Sequence, residues 1–219
     1  MPSQPTIHLV PLGMLGYDAA LADPAGRTGK DVLAADVSRA RALWLAYVAE
    51  KCGGDASKCP TITVSTYASN VLTARADAYA AMWKAAFPGI QVQIDNREID
   101  YIRRGQFVGL DFTHWAADYP DPQDFTSLLF HTGSAYNQSN VSLPAADTLL
   151  DQADAAQDAA VRIRLYQQAE QLLITNVAAI PLYQSLNTYL VRPSVAGGYR
   201  ERQESIAALA NWQRVYLVG

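Results

Sequence analysis

The 219-residue chain is 50% hydrophobic and only 17% charged, which is the composition of a packed globular protein and excludes a disordered one. Its formal net charge of −4, with no Lys/Arg cluster longer than two residues, excludes a nucleic-acid footprint. Its longest apolar stretches fall short of the roughly 20 residues that a membrane span needs.

Residues 1–35 read as irregular, because Gly13, Gly16, Pro24, Gly26 and Gly29 interrupt every candidate period. The start, Met1-Pro2-Ser3-Gln4-Pro5, shows neither the basic nor the apolar region of an export signal. Asp36 can cap a helix running to about Lys51, with Val37, Ala40, Leu43, Trp44, Tyr47 and Val48 on one face and Gly53 just past its end. Cys52 and Cys59 flank a polar, Gly-rich loop that can bring the two sulfurs within bonding range. This favours a disulfide over two free thiols, and with it an oxidising compartment. An exported protein without an export signal would be a piece of a longer chain.

Thr61–Tyr67 alternates cleanly and predicts a strand. Ser69 or Asn70 then caps a helix that runs to about Phe87 and stops at Pro88-Gly89. Ile90–Ile94 predicts a second strand, a short helix is expected over about 98–106, and residues 109–116 predict a third strand. This β-α-β-α-β order argues for an α/β fold with a mostly parallel or mixed sheet. The third strand ends in Trp115-Ala-Ala-Asp118-Tyr119-Pro120-Asp121-Pro122. Both prolines fix φ and push the preceding residue out of the helical region, so this exit is stiff and extended. Asp124–Phe130 looks helical and 132–144 is a polar loop. Pro144 opens a helix to about 155, and a strongly amphipathic helix covers about 159–175. Ala178–Tyr183 and Tyr189–Val191 read as extended, Gly197-Gly198 as a turn or hinge, and Trp212–Val218 as a weak strand.

The residues offer little for catalysis. There is no G-x-S-x-G, H-E-x-x-H, P-loop or G-x-G-x-x-G, and His8, His114 and His131 are scattered. Asp118 and Asp121 could pair for acid/base work, but carboxylates on a Pro-stiffened loop more often hold donors or cap a helix. No metal or cofactor site is expected. A binding role fits better. Trp115 offers a flat apolar wall, and Asp118 a fixed charge for an ammonium group. Tyr119 follows in the same run, Arg103 could answer a carboxylate, and Asn137 could supply amide hydrogen bonds.

The run Trp115–Pro122, the stretch Asn137–Asp147 with Pro144, and Arg162–Leu173 resemble the solute-binding proteins of bacterial peptide/nickel ABC importers. So do Ile180-Pro-Leu-Tyr183 leading to Leu190–Val195, and the opening Leu9–Gly13 with Gly16-Tyr17-Asp18. Leu143, Val141 and Ser185 depart from the usual family residues and leave the ligand class open. The resemblance implies one lobe of a type II periplasmic-binding-protein fold, the C-terminal lobe. Residues 1–35 would lead into the hinge, 36–195 would form the ligand-binding lobe, and 196–219 would return to the N-terminal lobe. It further implies that Asp118 pairs with a peptide α-amino group, that Trp115 forms the adjoining wall, and that Arg103 and Asn137 lie near the ligand. The expected protein is non-enzymatic and binds a peptide or other small solute for an ABC permease. It would sit in the periplasm or be lipid-anchored on the outer face of the cytoplasmic membrane. A carbohydrate-binding module on the same fold and a self-associating interaction domain are the alternatives.

Overall fold

The computed structural model describes residues 3–29, 31, 36–67, 69–97, 109–185, 190, 192–197 and 215–217. The chain forms two compact units, residues 35–114 and residues 1–34 with 115–219.

In the unit of residues 35–114, Asp36 caps helix α1 (Val37–Lys51) by accepting from the Arg39 amide at 2.9 Å. Only Val48 of this helix is buried. Side chains hold the rest in place: the Trp44 indole N–H donates to the Pro88 carbonyl at 2.9 Å, and Arg41 Nε donates to the Ala86 carbonyl at 2.8 Å. Cys52 and Cys59 form a disulfide, with Cα atoms 5.2 Å apart, that buries both sulfurs beside Val48. Strand β2 (Ile62–Tyr67) lies between β3 (Val92–Arg97) and β4 (Leu110–Asp111), all parallel, giving the order β3-β2-β4. Helix α2 (Asn70–Ala86) covers one face through Ala76 and Ala80, which pack with Val64, Val92, Trp83 and Phe112. Ser69 occupies its N-cap position without making a side-chain cap bond.

Two strands differ from the sequence reading. The second is displaced toward Arg97, because parallel pairing with β2 continues through Asp95, Asn96 and Arg97, where hydrophobic alternation has already ended. The third is only two residues long. Alternation reports which side chains face a core and not which backbones pair, and the chain leaves β2 after a last bond from the Phe112 amide to the Ser65 carbonyl. Gly109 precedes it at φ +93°, and a Cβ there would lie 2.2 Å from the Thr63 carbonyl oxygen. Only glycine permits that approach. The expected helix at 98–106 lies outside the described residues.

In the other unit most of the regular structure among the described residues is helical. A 3-10 turn (Pro122–Phe125) and helix α3 (Ser127–Phe130) replace the single helix expected there, because Thr126 leaves helical geometry at ψ −81°. Helices α4 (Pro144–Ala155) and α5 (Ala159–Thr175) pack through Leu150, Ala153, Tyr166 and Ala169, all fully buried. The nominally irregular N-terminal stretch contains strand β1 (Ser3–Pro5), paired antiparallel with β5 (Tyr183–Ser185). Strands β6 (Val195–Gly197) and β7 (Val215–Leu217) form a second antiparallel pair. The remaining parts of the expected segments at 189–191, 197–198 and 212–218 lie outside the described residues. Among those residues, no helix is long and apolar enough to cross a membrane.

Helix α5 ends in a Schellman motif. The Ala178 amide donates to the Leu173 carbonyl at 2.9 Å, and the Val177 amide to the Ile174 carbonyl at 3.0 Å. The left-handed position is Val177, at φ 54° and 55% exposed, so a β-branched residue bears the strain and buries little in return. Val177→Gly is expected to raise stability by about 1 kcal/mol, seen as a Tm higher by roughly 2–4 °C. A lower Tm would contradict this assignment.

Asp111 carries a buried carboxyl whose two oxygens have no hydrogen-bond partner among the described residues, and burial pushes its pKa up to about 6. Its folded-state pKa lies above the unfolded value, so the folded protein retains a proton that the unfolded chain has released. Its contribution therefore favours folding at low pH and is lost as pH rises from about 4 to 6. Asp111→Asn should raise stability by about 1–2 kcal/mol at pH 8 and change it little at pH 4. Urea unfolding at the two pH values checks this, and an equal effect at both would refute it.

Candidate functional site

The candidate site lies in the unit built on α4 and α5, where the loop 115–125 is fixed by the carboxylates of Asp121 and Asp124. Trp115 packs against the buried cluster of Val10, Ala117 and Phe125, as Met14 and Tyr17 also do. Its ring meets Tyr136 edge-on, with centroids 5.6 Å apart at 74°, in the favoured T-shaped arrangement. Trp115 is half-buried, whereas Tyr136 and Tyr119 are exposed. Asp124 is fully buried, and a single oxygen, Oδ2, accepts both the Trp115 indole N–H at 3.1 Å and the Asp118 backbone N–H at 3.0 Å. Burial pushes the Asp124 carboxyl up, outweighing the two hydrogen bonds that favour its charged form, while the nearby Asp118 and Asp121 charges add to the rise.

The Asp121 side chain caps the 3-10 turn by accepting from the Gln123 amide at 2.9 Å. The same carboxylate takes a two-pronged bond from Arg162 of α5, at 2.7 and 2.8 Å. Burial works to raise the Asp121 pKa, but the Arg162 hydrogen bonds and charge and the Gln123 amide prevail and hold it below the ordinary range. Arg162 also donates to the Tyr166 hydroxyl at 2.9 Å. That hydroxyl in turn donates to Asp154, which accepts from Ser127 as well. The Tyr119 hydroxyl donates to Gln123, and burial followed by the surrounding carboxylates pushes its pKa up. Every carboxylate of this loop is thus engaged except one. The Asp118 side chain is exposed and has no hydrogen-bond partner among the described residues.

Of the residues singled out by sequence, Trp115, Asp118 and Tyr119 fall on this one loop. Asn137 is buried in the neighbouring loop with both ends of its amide occupied. It donates to the His131 and Val141 carbonyls at 3.2 and 2.7 Å and accepts from the Val141 amide at 3.0 Å. Arg103 lies outside the described residues. Sequence reasoning missed Tyr136, Asp124 and Arg162. The D-P-x-D spacing around Asp121 could have flagged a carboxylate folded back under the loop, whereas nothing local marks Arg162, 41 residues away from Asp121. Among the described residues, no group of three or more His, Cys, Asp or Glu side chains could hold a metal ion.

The sheet with flanking helices and the aromatic–acid loop define one class, an α/β lobe of the periplasmic-binding-protein kind. No family model matches the chain. It is 31% identical over 153 residues to the periplasmic oligopeptide-binding protein OppA of Escherichia coli, covering 68% of this chain and 27% of that relative. It is 33% identical over 134 residues to the periplasmic murein peptide-binding protein MppA of the same organism, covering 59% of this chain and 24% of the relative. Among solved structures, unliganded open MppA superposes over 99% of this chain and 40% of its own, with a TM-score of 0.75 and 25% identity. Haemophilus influenzae OppA in complex with RPPGFSPFR covers 100% of this chain and 41% of its own, with a TM-score of 0.74 and 22% identity. The chain belongs to this family of peptide-binding solute-binding proteins as a homologue of part of them, spanning about a quarter of the length of these curated relatives.

Removing Arg162 would strand the half-buried Asp121 carboxylate and free the loop from α5. Arg162→Met is expected to cost about 2 kcal/mol at pH 7. The Asp121 pKa is depressed, so the stabilisation from this pair is present at neutral pH and is lost as pH falls through its folded value. The penalty should therefore shrink toward pH 3, and a pH-independent penalty in urea unfolding would show that the charge pair is not its source.

Proposed function

We propose that this chain is the C-terminal lobe of an extracytoplasmic solute-binding protein that delivers peptides to an ABC permease. It is a binding protein, not an enzyme, and its site is one jaw of a two-lobed clamp. Residues 36–195 form the ligand-binding lobe, 1–35 lead into the hinge, and 196–219 return to the N-terminal lobe. The observation that carries this reading is the exposed Asp118 carboxylate, unpaired among the described residues, on the same loop as Trp115 of the Trp115–Tyr136 aromatic pair, where the other acids are all engaged. Such a carboxylate suits a peptide α-ammonium through a charge-assisted hydrogen bond, while the aromatic faces suit the first side chain. Tyr119 adds a further aromatic edge, and Arg103 a cationic contact for a carboxylate. Asn137 contributes by fixing the loop that presents Tyr136. The similarity to OppA and MppA, both named as periplasmic peptide-binding proteins, supports the peptide and a periplasmic location. The disulfide fits an oxidising compartment.

A single jaw excludes little water, so the chain alone should bind trialanine with a Kd on the order of millimolar. N-acetylated trialanine should bind about tenfold more weakly, and Asp118→Asn should abolish that difference. Heteronuclear NMR titration reads both. Sub-micromolar affinity of the chain alone would refute the single-jaw reading, and equal binding of the two peptides by the unmutated chain would remove Asp118 from amine recognition.

A further inference from the structure

The site places its two recognition elements on one atom. Trp115 reaches Asp124 with its indole N–H and Asp118 reaches it with its backbone N–H, and both end on Oδ2, at 3.1 and 3.0 Å. The second oxygen, Oδ1, is buried without a partner among the described residues. One fully buried acceptor therefore fixes the plane of the aromatic wall and, through the backbone, the direction in which the Asp118 carboxylate projects. The clamp needs this. The segment from Trp115 to Asp118 contains two alanines, whose short side chains offer no polar anchor of their own. Downstream, the loop is held independently by Arg162 on Asp121 and by the Thr126 hydroxyl on the Pro122 carbonyl at 2.7 Å. Among the described residues, the Asp124 carboxylate takes the hydrogen bonds of both Trp115 and Asp118 and so links that stretch to the fixed base, beside the packing of Trp115 with Phe125.

We propose that Asp124 is the positioning residue of the ligand site, holding Trp115 and Asp118 in the relative placement that recognises a free amino terminus. The inference rests on the peptide-amine reading of Asp118. Asp124 itself touches no ligand and acts through the two groups it binds.

Two substitutions separate its geometry from its charge. Asp124→Asn is nearly isosteric and removes the charge, yet its amide oxygen can still accept both N–H groups. Asp124→Glu keeps the charge but moves the acceptor by one methylene. Positioning predicts that the Asn variant retains the roughly tenfold preference for trialanine over its acetylated form within about twofold, and that the Glu variant loses it. Positioning also predicts, without any ligand, that the Trp115 indole N–H stays protected from hydrogen exchange in the Asn variant and exchanges faster in the Glu variant. Asp124→Ala should behave like the Glu variant and takes its place if overpacking prevents folding. Retained preference in the Glu and Ala variants, or loss in the Asn variant as large as in the others, would overturn the proposal. If the unmutated chain shows no preference for the free amine, the amine reading fails, and indole exchange still decides whether Asp124 positions Trp115.

Discussion

The two-pronged bond between Arg162 and Asp121 is the constraint on which the candidate site depends. It joins a loop that has no regular backbone ladder to the most deeply packed helix of its unit. The guanidinium is a planar fork and the carboxylate a matching acceptor, so the bond fixes orientation as well as distance. The pair is only partly buried, with side-chain exposures of 25% and 28%, so its desolvation cost is moderate. Tyr166 then ties the guanidinium to α4 through Asp154. Two helices and a loop thereby share one polar network beside an apolar α4–α5 interface.

Helix α5 performs a similar service for the N-terminal segment. One oxygen of the fully buried Glu170 accepts from the Leu9 and Val10 amides at 2.7 and 3.0 Å. This answers the donors of a segment where β1 has ended and no ladder continues. Burial pushes the Glu170 pKa up to about 7, more than those amides can offset. His8, 4.0 Å away, is pulled the other way by the same burial. Arg162 and Glu170 lie on one helix and hold two sequence-distant segments by their polar groups. The helix that reads from sequence as a plain amphipathic element is thus the anchor for both irregular stretches.

Much of this was legible in the sequence because it is local. Asp36 and Pro144 mark helix starts and Pro88-Gly89 a helix end, and these signals act within a few residues. The Cys52–Cys59 loop is short enough for its closure to be read directly. The partners of the Trp115–Pro122 run were not legible. Arg162 reads as one more charge on a solvated helix face, and its bond to Asp121 depends on how α5 packs. Tyr136 reads as a loop residue, and its contact with Trp115 depends on Asn137 stapling residues 131–141 into shape. The strand bounds failed for a related reason: pairing in a parallel sheet is set by the neighbour, and β2 decides how far β3 and β4 extend.

The electrostatic arrangement around the loop follows from what burial costs. Asp118, Asp121, Asp124 and Asp154 are close enough that each contributes to raising the Tyr119 pKa. Arg162 offsets one of them directly. A fully buried carboxylate such as Asp124 is tolerable only with donors of its own, and it takes the Trp115 and Asp118 N–H groups. Asp118 needs no such compensation, because water solvates it. The loop therefore sorts its acids by depth, with the deep ones spent on holding the fold and the shallow one left over. A surplus negative charge beside exposed aromatic rings, on a backbone locked by the charges beneath it, is preorganised for a cationic group that arrives with an apolar neighbour. On the proposed reading, the selectivity of that surface would come from Asp124 and Asp121 as much as from Asp118, since they determine where the exposed carboxylate points.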